Sequence, residues 1–153
     1  MDTTAKIKII ATNRKANFEY EITVRYEAGI MLTGTEVKSL REGKASLVES
    51  FARIKKDEAF LVNMNIPEYK YGNLNNHEPA RQRKLLLNKK EIEKIKEALE
   101  EKGLTLVPLK MYFKSSLVKV ELGVARGKKL YDKRESIKKK DIDRNLKRLQ
   151  NIR

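Results

Sequence analysis

Residues 18–26, Phe-Glu-Tyr-Glu-Ile-Thr-Val-Arg-Tyr, alternate apolar and polar without a break. Successive side chains of an extended chain point to opposite faces, so a period of two predicts a strand with one face on a core and the other in water. Phe18, Tyr20, Ile22, Val24 and Tyr26 make the apolar face. Glu27-Ala28-Gly29 reads as an interruption, and Ile30-Met31-Leu32 as a short continuation after a bend. The pattern recurs near the other end, where Val118, Val120, Leu122 and Val124 alternate with Lys119, Glu121 and Gly123. A tight turn at Lys114-Ser115-Ser116 joins that strand, 117–124, to another over 104–113. A further pair, 50–54 and 59–64, folds back about the polar run Lys55-Lys56-Asp57-Glu58.

Two helices fall between the strands. In 33–43, Thr35 is the expected N-cap, Val37 and Leu40 stand at i, i+3, and Gly43 is the expected stop. The second opens at Asn88, with Glu91 at N3 completing a capping box. Ile92, Ile95 and Leu99 form its buried stripe, and Gly103 ends it. Residues 63–83 are loop-rich and hold Pro67, Pro79, Gly72 and an asparagine cluster. Five or six short antiparallel strands with helices between them predict a mainly β fold. A small closed or nearly closed OB-like barrel with flanking helices removes exposed sheet edges. A mixed α+β sandwich fits the same pattern. The division is a barrel over 1–130 and a basic tail over 131–153.

The function classes narrow by absence. With no cysteine, disulfides, thiolate metal sites and cysteine nucleophiles are excluded. The one histidine, His77, lies in a polar stretch and reads as a surface-loop residue. No acid–base pair or metal-ligand pattern stands out, so no enzyme activity, cofactor or metal is expected. No apolar run reaches the length of a membrane span, and the N-terminus lacks a signal-peptide core, so a cytoplasmic monomer is expected.

What remains is charge. Residues 126–153 carry 12 Lys/Arg against 4 acids, which is +8 of the formal +14. That density suits a polyanion such as RNA. Within it Ile142, Leu146 and Leu149 stand at i, i+4, i+7 with basic residues between them, a short amphipathic helix. A helix this short is marginal alone, so the tail is expected to be disordered when free and helical when bound. A membrane-surface helix is the competing reading. Three basic clusters stand out, Asn13-Arg14-Lys15, Arg81-Gln82-Arg83-Lys84 and, at the start of that segment, Arg126-Gly127-Lys128-Lys129, each at an element edge. Converging, they would form one phosphate-contacting surface, with Phe18 and Tyr20 available for stacking. Glu27 reads first as structural, paired with Arg25 or capping a turn, and second as an acceptor for base edges or 2′-hydroxyls.

The order of motifs adds a resemblance. Asn13-Arg14-Lys15-Ala16, Tyr26-Glu27-Ala28-Gly29-Ile30, Gly34-Thr35-Glu36-Val37-Lys38-Ser39-Leu40-Arg41, Arg83-Lys84-Leu85-Leu86-Leu87-Asn88, Gly103-Leu104-Thr105-Leu106-Val107-Pro108-Leu109 and Gly127-Lys128-Lys129 followed by Asp132-Lys133-Arg134 together resemble the bacterial SsrA-binding protein family, small protein B. The resemblance implies an OB-like barrel that binds the tRNA-like domain of transfer-messenger RNA and delivers it to stalled ribosomes for trans-translation. It implies elongation factor Tu and the small-subunit decoding centre and messenger channel as partners. Carried over, Asn13, Glu27, Leu86, Asn88, Gly127, Lys128 and Lys129 match RNA-binding positions, with Arg14 and Lys15 in the same patch. Asp132, Lys133 and Arg134 match a tail motif tied to ribosomal function. Family members often carry histidine where this chain has Phe18; the ring is kept and a hydrogen bond or charge is lost. The alternative is a general ribosomal or RNA-chaperone protein that binds structured RNA without strong preference.

Overall fold

The computed structural model describes residues 6–72, 76–101 and 103–127. Its elements follow as β1 (Ile7–Thr12), α1 (Arg14–Glu19), β2 (Tyr20–Ile30), α2 (Gly34–Arg41), β3 (Phe51–Lys55), β4 (Glu58–Val62), β5 (Arg83–Leu86), α3 (Lys89–Glu100), β6 (Leu104–Lys114) and β7 (Leu117–Gly127). The strands form one antiparallel sheet in the order β1-β6-β7-β2-β5-β4-β3. It curls until β3 lies against β6. No hydrogen-bonded ladder joins the two edge strands, β1 and β3, among the described residues. The fold is therefore mainly β with helices, an open form of the expected barrel. Lys128, Lys129, Asp132, Lys133, Arg134, Ile142, Leu146 and Leu149 lie outside the described residues, as does the expected tail division.

The alternation at 18–26 holds only in part. Phe18 and Glu19 belong to α1, not to a strand. Asn13 starts that helix: its Oδ1 accepts from the Ala16 N–H at 3.3 Å, satisfying one of the donors that a helix start leaves open. From Tyr20 the strand runs to Ile30, through the supposed interruption at Glu27-Ala28-Gly29. Between Ile22 and Val24 the pairing with β7 skips one residue, Thr23, which is a bulge. A one-residue slip moves every later side chain to the other face. Tyr20 and Ile22 accordingly pack outside, with Ala16, Val107, Leu109 and Ala125 under α1. Tyr26, Ala28 and Ile30 pack inside, with Leu61, Leu85, Leu106, Met111 and Leu122. Val24 stays half-exposed.

The hairpin is as expected, and Lys56 (φ 50°) and Asp57 (φ 63°) give its two-residue turn the twist that antiparallel strands need. Two strands were not expected. β1 shows no clean alternation, and β5 begins with a charged residue that points inward. The inner core is closed by Leu40 from α2 and Ile95 from α3, both fully buried; each such side chain contributes about 1.5–3 kcal/mol on leaving water.

The cap of α2 is Thr33, not Thr35. Thr33 Oγ1 accepts from the Glu36 N–H at 3.4 Å, and Glu36 Oε1 accepts from the Thr33 N–H at 2.8 Å. The same Glu36, fully buried, accepts from Arg81 at 2.5 Å and from the Arg83 Nε. Burial opposes its ionisation, but the hydrogen bonds from Arg81, Thr33 and Arg83 outweigh that and hold its carboxyl below the usual range. Burial also pulls the Arg83 guanidinium down, against the hydrogen bond and charge of Glu36. Arg83 further donates to the carbonyls of Met64 (2.6 Å), Arg81 (3.1 Å) and Pro79 (3.0 Å).

His77 is buried, not a surface-loop residue. Its Nε2 lies 2.7 Å from the Ile66 carbonyl and its Nδ1 2.9 Å from Thr35 Oγ1. A carbonyl only accepts, so Nε2 donates, and in the neutral ring Nδ1 accepts from the Thr35 hydroxyl. The polar run around it conceals this role; of its described neighbours, Glu78 does face water.

Replacing Glu36 by Gln leaves Arg83 buried without its counter-charge. We expect a loss of about 3–5 kcal/mol by urea unfolding at neutral pH. Because the folded carboxyl titrates below its unfolded value of 4.5, its contribution is complete above that value and fades as pH falls through the depressed folded one. The variant should therefore show a shallower acid limb than wild type over that window.

Candidate nucleic-acid interface

The residues singled out in the sequence fall at the two ends of β2. At its start, α1 presents Arg14 and Lys15 to solvent, with Phe18 on the same helix. Lys15 reaches Glu19 at 3.8 Å, a loose exposed pair of little energetic weight. Asn13 does more than cap. Its N–H donates to the Leu109 carbonyl at 2.8 Å and its Nδ2 to the Pro108 carbonyl at 2.9 Å. β6 bulges between Pro108 and Lys110, and Asn13 takes up the carbonyls there. Tyr20 pairs with Gly127, so the end of β7 lies beside α1. Asn13-Arg14-Lys15 and Arg126-Gly127 thus converge as expected.

At the other end, Gly29 pairs with Leu86 across β2 and β5. A Cβ on Gly29 would stand 3.3 Å from the Leu86 Cβ, so glycine permits the close approach. Leu86 is half-exposed, and the chain leaves the sheet there toward the Glu27 end of β2. Asn88 follows as the exposed cap of α3, its Oδ1 accepting from the Glu91 N–H at 2.8 Å. Glu27 therefore shares one face with Leu86 and lies close to Asn88 along the chain path. Tyr20 and Glu27 stand seven residues apart on one strand, about 23 Å at roughly 3.3 Å per residue. The site is two patches, not one.

Glu27 is neither paired with Arg25 nor a cap. Its Oε2 accepts from the Tyr112 hydroxyl and its Oε1 from Lys114 at 3.2 Å. The Tyr112 hydrogen bond, with Lys114 and Lys119 nearby, holds its carboxyl below the usual range although partial burial opposes this. Burial, together with Glu27, pushes the Tyr112 hydroxyl up. Arg25 pairs instead with Glu121 at 2.7 Å, which Lys110 also meets at 3.2 Å. These groups alternate outward along β2, β7 and β6, an arrangement that needed the strand register and could not be read from any one strand. Lys119 was visible in the alternation of 117–124; Tyr112 and Lys114 had no sequence signal.

The third cluster does not join either patch. Arg83 is fully buried, Arg81 is paired with Glu36, and Lys84 reaches Glu58 at 3.6 Å. Arg81 and Arg83 hold the loop together, while Lys84 stays partly exposed in a loose surface pair.

The family model described as SmpB protein matches residues 10–151. The chain belongs to the SmpB family. An SsrA-binding protein of Thermosipho africanus is 58% identical over 141 residues, covering 92% of this chain and 95% of that one. Another, of Syntrophobacter fumaroxidans, is 53% identical over 151 residues, covering 99% and 94%. A solved structure described as "tmRNA-SmpB: a journey to the center of the bacterial ribosome" superposes with a TM-score of 0.65 at 52% identity, over 78% of this chain and 84% of that one. The SmpB match reaches into the basic tail as well as the sheet. The motif order read from the sequence is thus that of the SmpB family.

Replacing Tyr112 by Phe removes the first of the hydrogen bonds that depress Glu27. In an NMR titration, the Glu27 carboxyl should move up toward its ordinary value, and Lys114→Ala should move it in the same direction. Asn88→Ala should cost about 1 kcal/mol through the lost cap, and Asn88→Ser, which keeps an acceptor, only a fraction of that by the same thermal unfolding. Any RNA-binding loss shared by both is then attributable to the amide, not to the helix.

Proposed function

We propose that this SmpB-family chain binds the tRNA-like domain of transfer-messenger RNA and delivers it to stalled ribosomes, where the incomplete product is tagged for degradation. The observation that carries this reading is 58% identity to an SsrA-binding protein across 92% of the chain. In this reading Glu27, Leu86 and Asn88 act at one end of β2, and Asn13, Arg14, Lys15, Phe18, Gly127, Lys128 and Lys129 at the other. Phe18 supplies a ring for stacking where family members often have histidine. Leu86, an exposed apolar side chain next to a glycine, offers a flat contact for a sugar or base.

The tail has a separate part. Asp132, Lys133 and Arg134, followed by the stripe Ile142, Leu146 and Leu149, become helical in the messenger channel, whose ribosomal RNA walls attract the tail's charge. Elongation factor Tu and the decoding centre complete the set of partners. The protein acts as a cytoplasmic monomer, and it binds rather than catalyses. No helix among the described residues is long and apolar enough to cross a membrane.

The test is binding of the purified chain to the tRNA-like domain at two salt concentrations, with ordinary tRNA and unrelated duplex RNA as competitors. Binding by phosphate contacts alone weakens by roughly 10³–10⁵ between 50 and 200 mM salt when 6–10 phosphates are neutralised. We expect a smaller loss and resistance to both competitors. Lys128→Ala should weaken this binding, whereas Asp132→Ala with Lys133→Ala should leave it near wild type and abolish tagging in a reconstituted stalled-ribosome assay. Binding that collapses with salt and ignores RNA identity would leave only a general RNA chaperone.

A further inference from the structure

Between β4 and β5 the chain makes a long excursion, and part of it is built too firmly for a simple connector. Tyr69 and Tyr71 form an edge-to-face pair, with ring centres 5.5 Å apart and planes at 70°. Lys38 of α2 stands 5.4 Å from the Tyr69 ring centre, and Lys70 stands 5.4 Å from that of Tyr71. Lys38 and Lys70 are exposed, and neither has an ion-pair partner among the described residues. Tyr71 keeps 67% of its surface in solvent. An aromatic ring left this open, beside uncompensated cations, forgoes the burial that normally places tyrosine.

The segment is nevertheless fixed. Asn76 clamps Tyr69 from both sides, accepting from its N–H at 2.8 Å and donating to its carbonyl at 2.7 Å. The same carbonyl accepts from the Gly72 N–H at 2.9 Å. Gly72 lies so close to this clamp that a Cβ would come within 2.6 Å of the Asn76 amide nitrogen. Upstream, the buried Ser39 hydroxyl of α2 donates to the Pro67 carbonyl at 2.8 Å. A rigid aromatic display loses little side-chain freedom on binding, which is what a recognition surface gains from such clamps.

We propose that Tyr69 and Tyr71, with Lys38 and Lys70, form a stacking platform for unpaired bases of single-stranded RNA. Every base has a π-face, so the rings bind without reading sequence, and the lysines meet the flanking phosphates. The platform is built from α2 and the loop after β4, with none of the residues of the two β2 patches in it. It rests on the reading of this chain as an RNA-binding protein, and extends it to a second, single-stranded element.

The experiment uses the full chain and a short single-stranded oligouridylate carrying 4-thiouridine, with the tRNA-like domain measured in parallel. We expect photocrosslinks at Tyr69 or Tyr71, about tenfold weaker oligouridylate binding for Tyr71→Ala, and wild-type binding for Tyr71→Phe, which keeps the ring. Gly72→Ala, which displaces the Asn76 clamp while leaving every ring and charge in place, should weaken the oligonucleotide as well. Tyr71→Ala should still bind the tRNA-like domain as wild type does if the β2 patches hold that RNA. Crosslinks confined to residues outside the platform, or equal oligouridylate affinity for wild type and Tyr71→Ala, would overturn the platform and leave the proposed function standing. Failure of the wild-type chain to bind the tRNA-like domain would count against the proposed function, whatever the platform does.

Discussion

One buried carboxylate organises residues 63–88. Glu36 caps its own helix and holds two arginines from the far end of the long loop. Through Arg83 it also settles the backbone of that loop. A segment without a ladder must find partners for its carbonyls wherever it passes under other chain, because a buried unpaired polar group is costly. Arg83 supplies several directed donors from a single side chain and serves Met64, Pro79 and Arg81. Buried ion pairs can often be exchanged for apolar residues without loss. Here the exchange would take the Arg83 donors from the Met64 and Arg81 carbonyls and leave Arg81 without its carboxylate; the Pro79 carbonyl would keep the Ile66 N–H. The strand that begins at Arg83 carries Leu86 and leads to Asn88, so this cluster also sets where that end of the interface stands.

A second constraint acts on the sheet. Bulges interrupt the pairing in β1, β2 and β6. In β2 the bulge at Thr23 turns one amphipathic strand into two half-strands facing opposite sides. That creates a small apolar site on the outer surface, and α1 fills it with Ala16. Asn13 closes the arrangement: it starts the helix and takes the carbonyls of Pro108 and Leu109 at the β6 bulge. Its side chain is thus committed to structure, and through the helix it starts it places Arg14, Lys15 and Phe18.

These two devices also mark where the sequence could be read and where it could not. Short-range signals were legible. The capping box at Asn88 and Glu91, the polar turn at Lys56-Asp57 and the strands flanking Ser115 all depend on neighbours a few residues apart. The order of six motifs was legible too, and it gave the family. What escaped depends on long separations. The alternation through Phe18 was sound as a pattern, but the cap at Asn13 is reinforced by Pro108 and Leu109, 95 residues or more away for the side-chain bond, and this decided for helix. The face switch at Thr23 follows from pairing with Val124 and Ala125. Arg81-Gln82-Arg83 looked like a phosphate site because charge in sequence does not reveal Glu36. Glu27 was expected beside Arg25 or at a turn, and the sequence did not reveal its partners Tyr112 and Lys114 because they lie far along the chain on β6.

Charge is divided unevenly between the sheet and the C-terminal segment. On the sheet, acids are set among the bases: Glu121 lies between Arg25 and Lys110, Glu27 takes Lys114, and Arg126 meets Glu101 at 3.2 Å. A cation already paired with a carboxylate brings fewer counterions to release, so it adds little to salt-dependent attraction. It does fix a donor in place, as does the tyrosine that orients Glu27. Residues 126–153 have the opposite balance, with +8 in 28 positions. Long-range attraction to RNA is therefore concentrated at the C-terminal end, while the sheet holds groups whose value is their position.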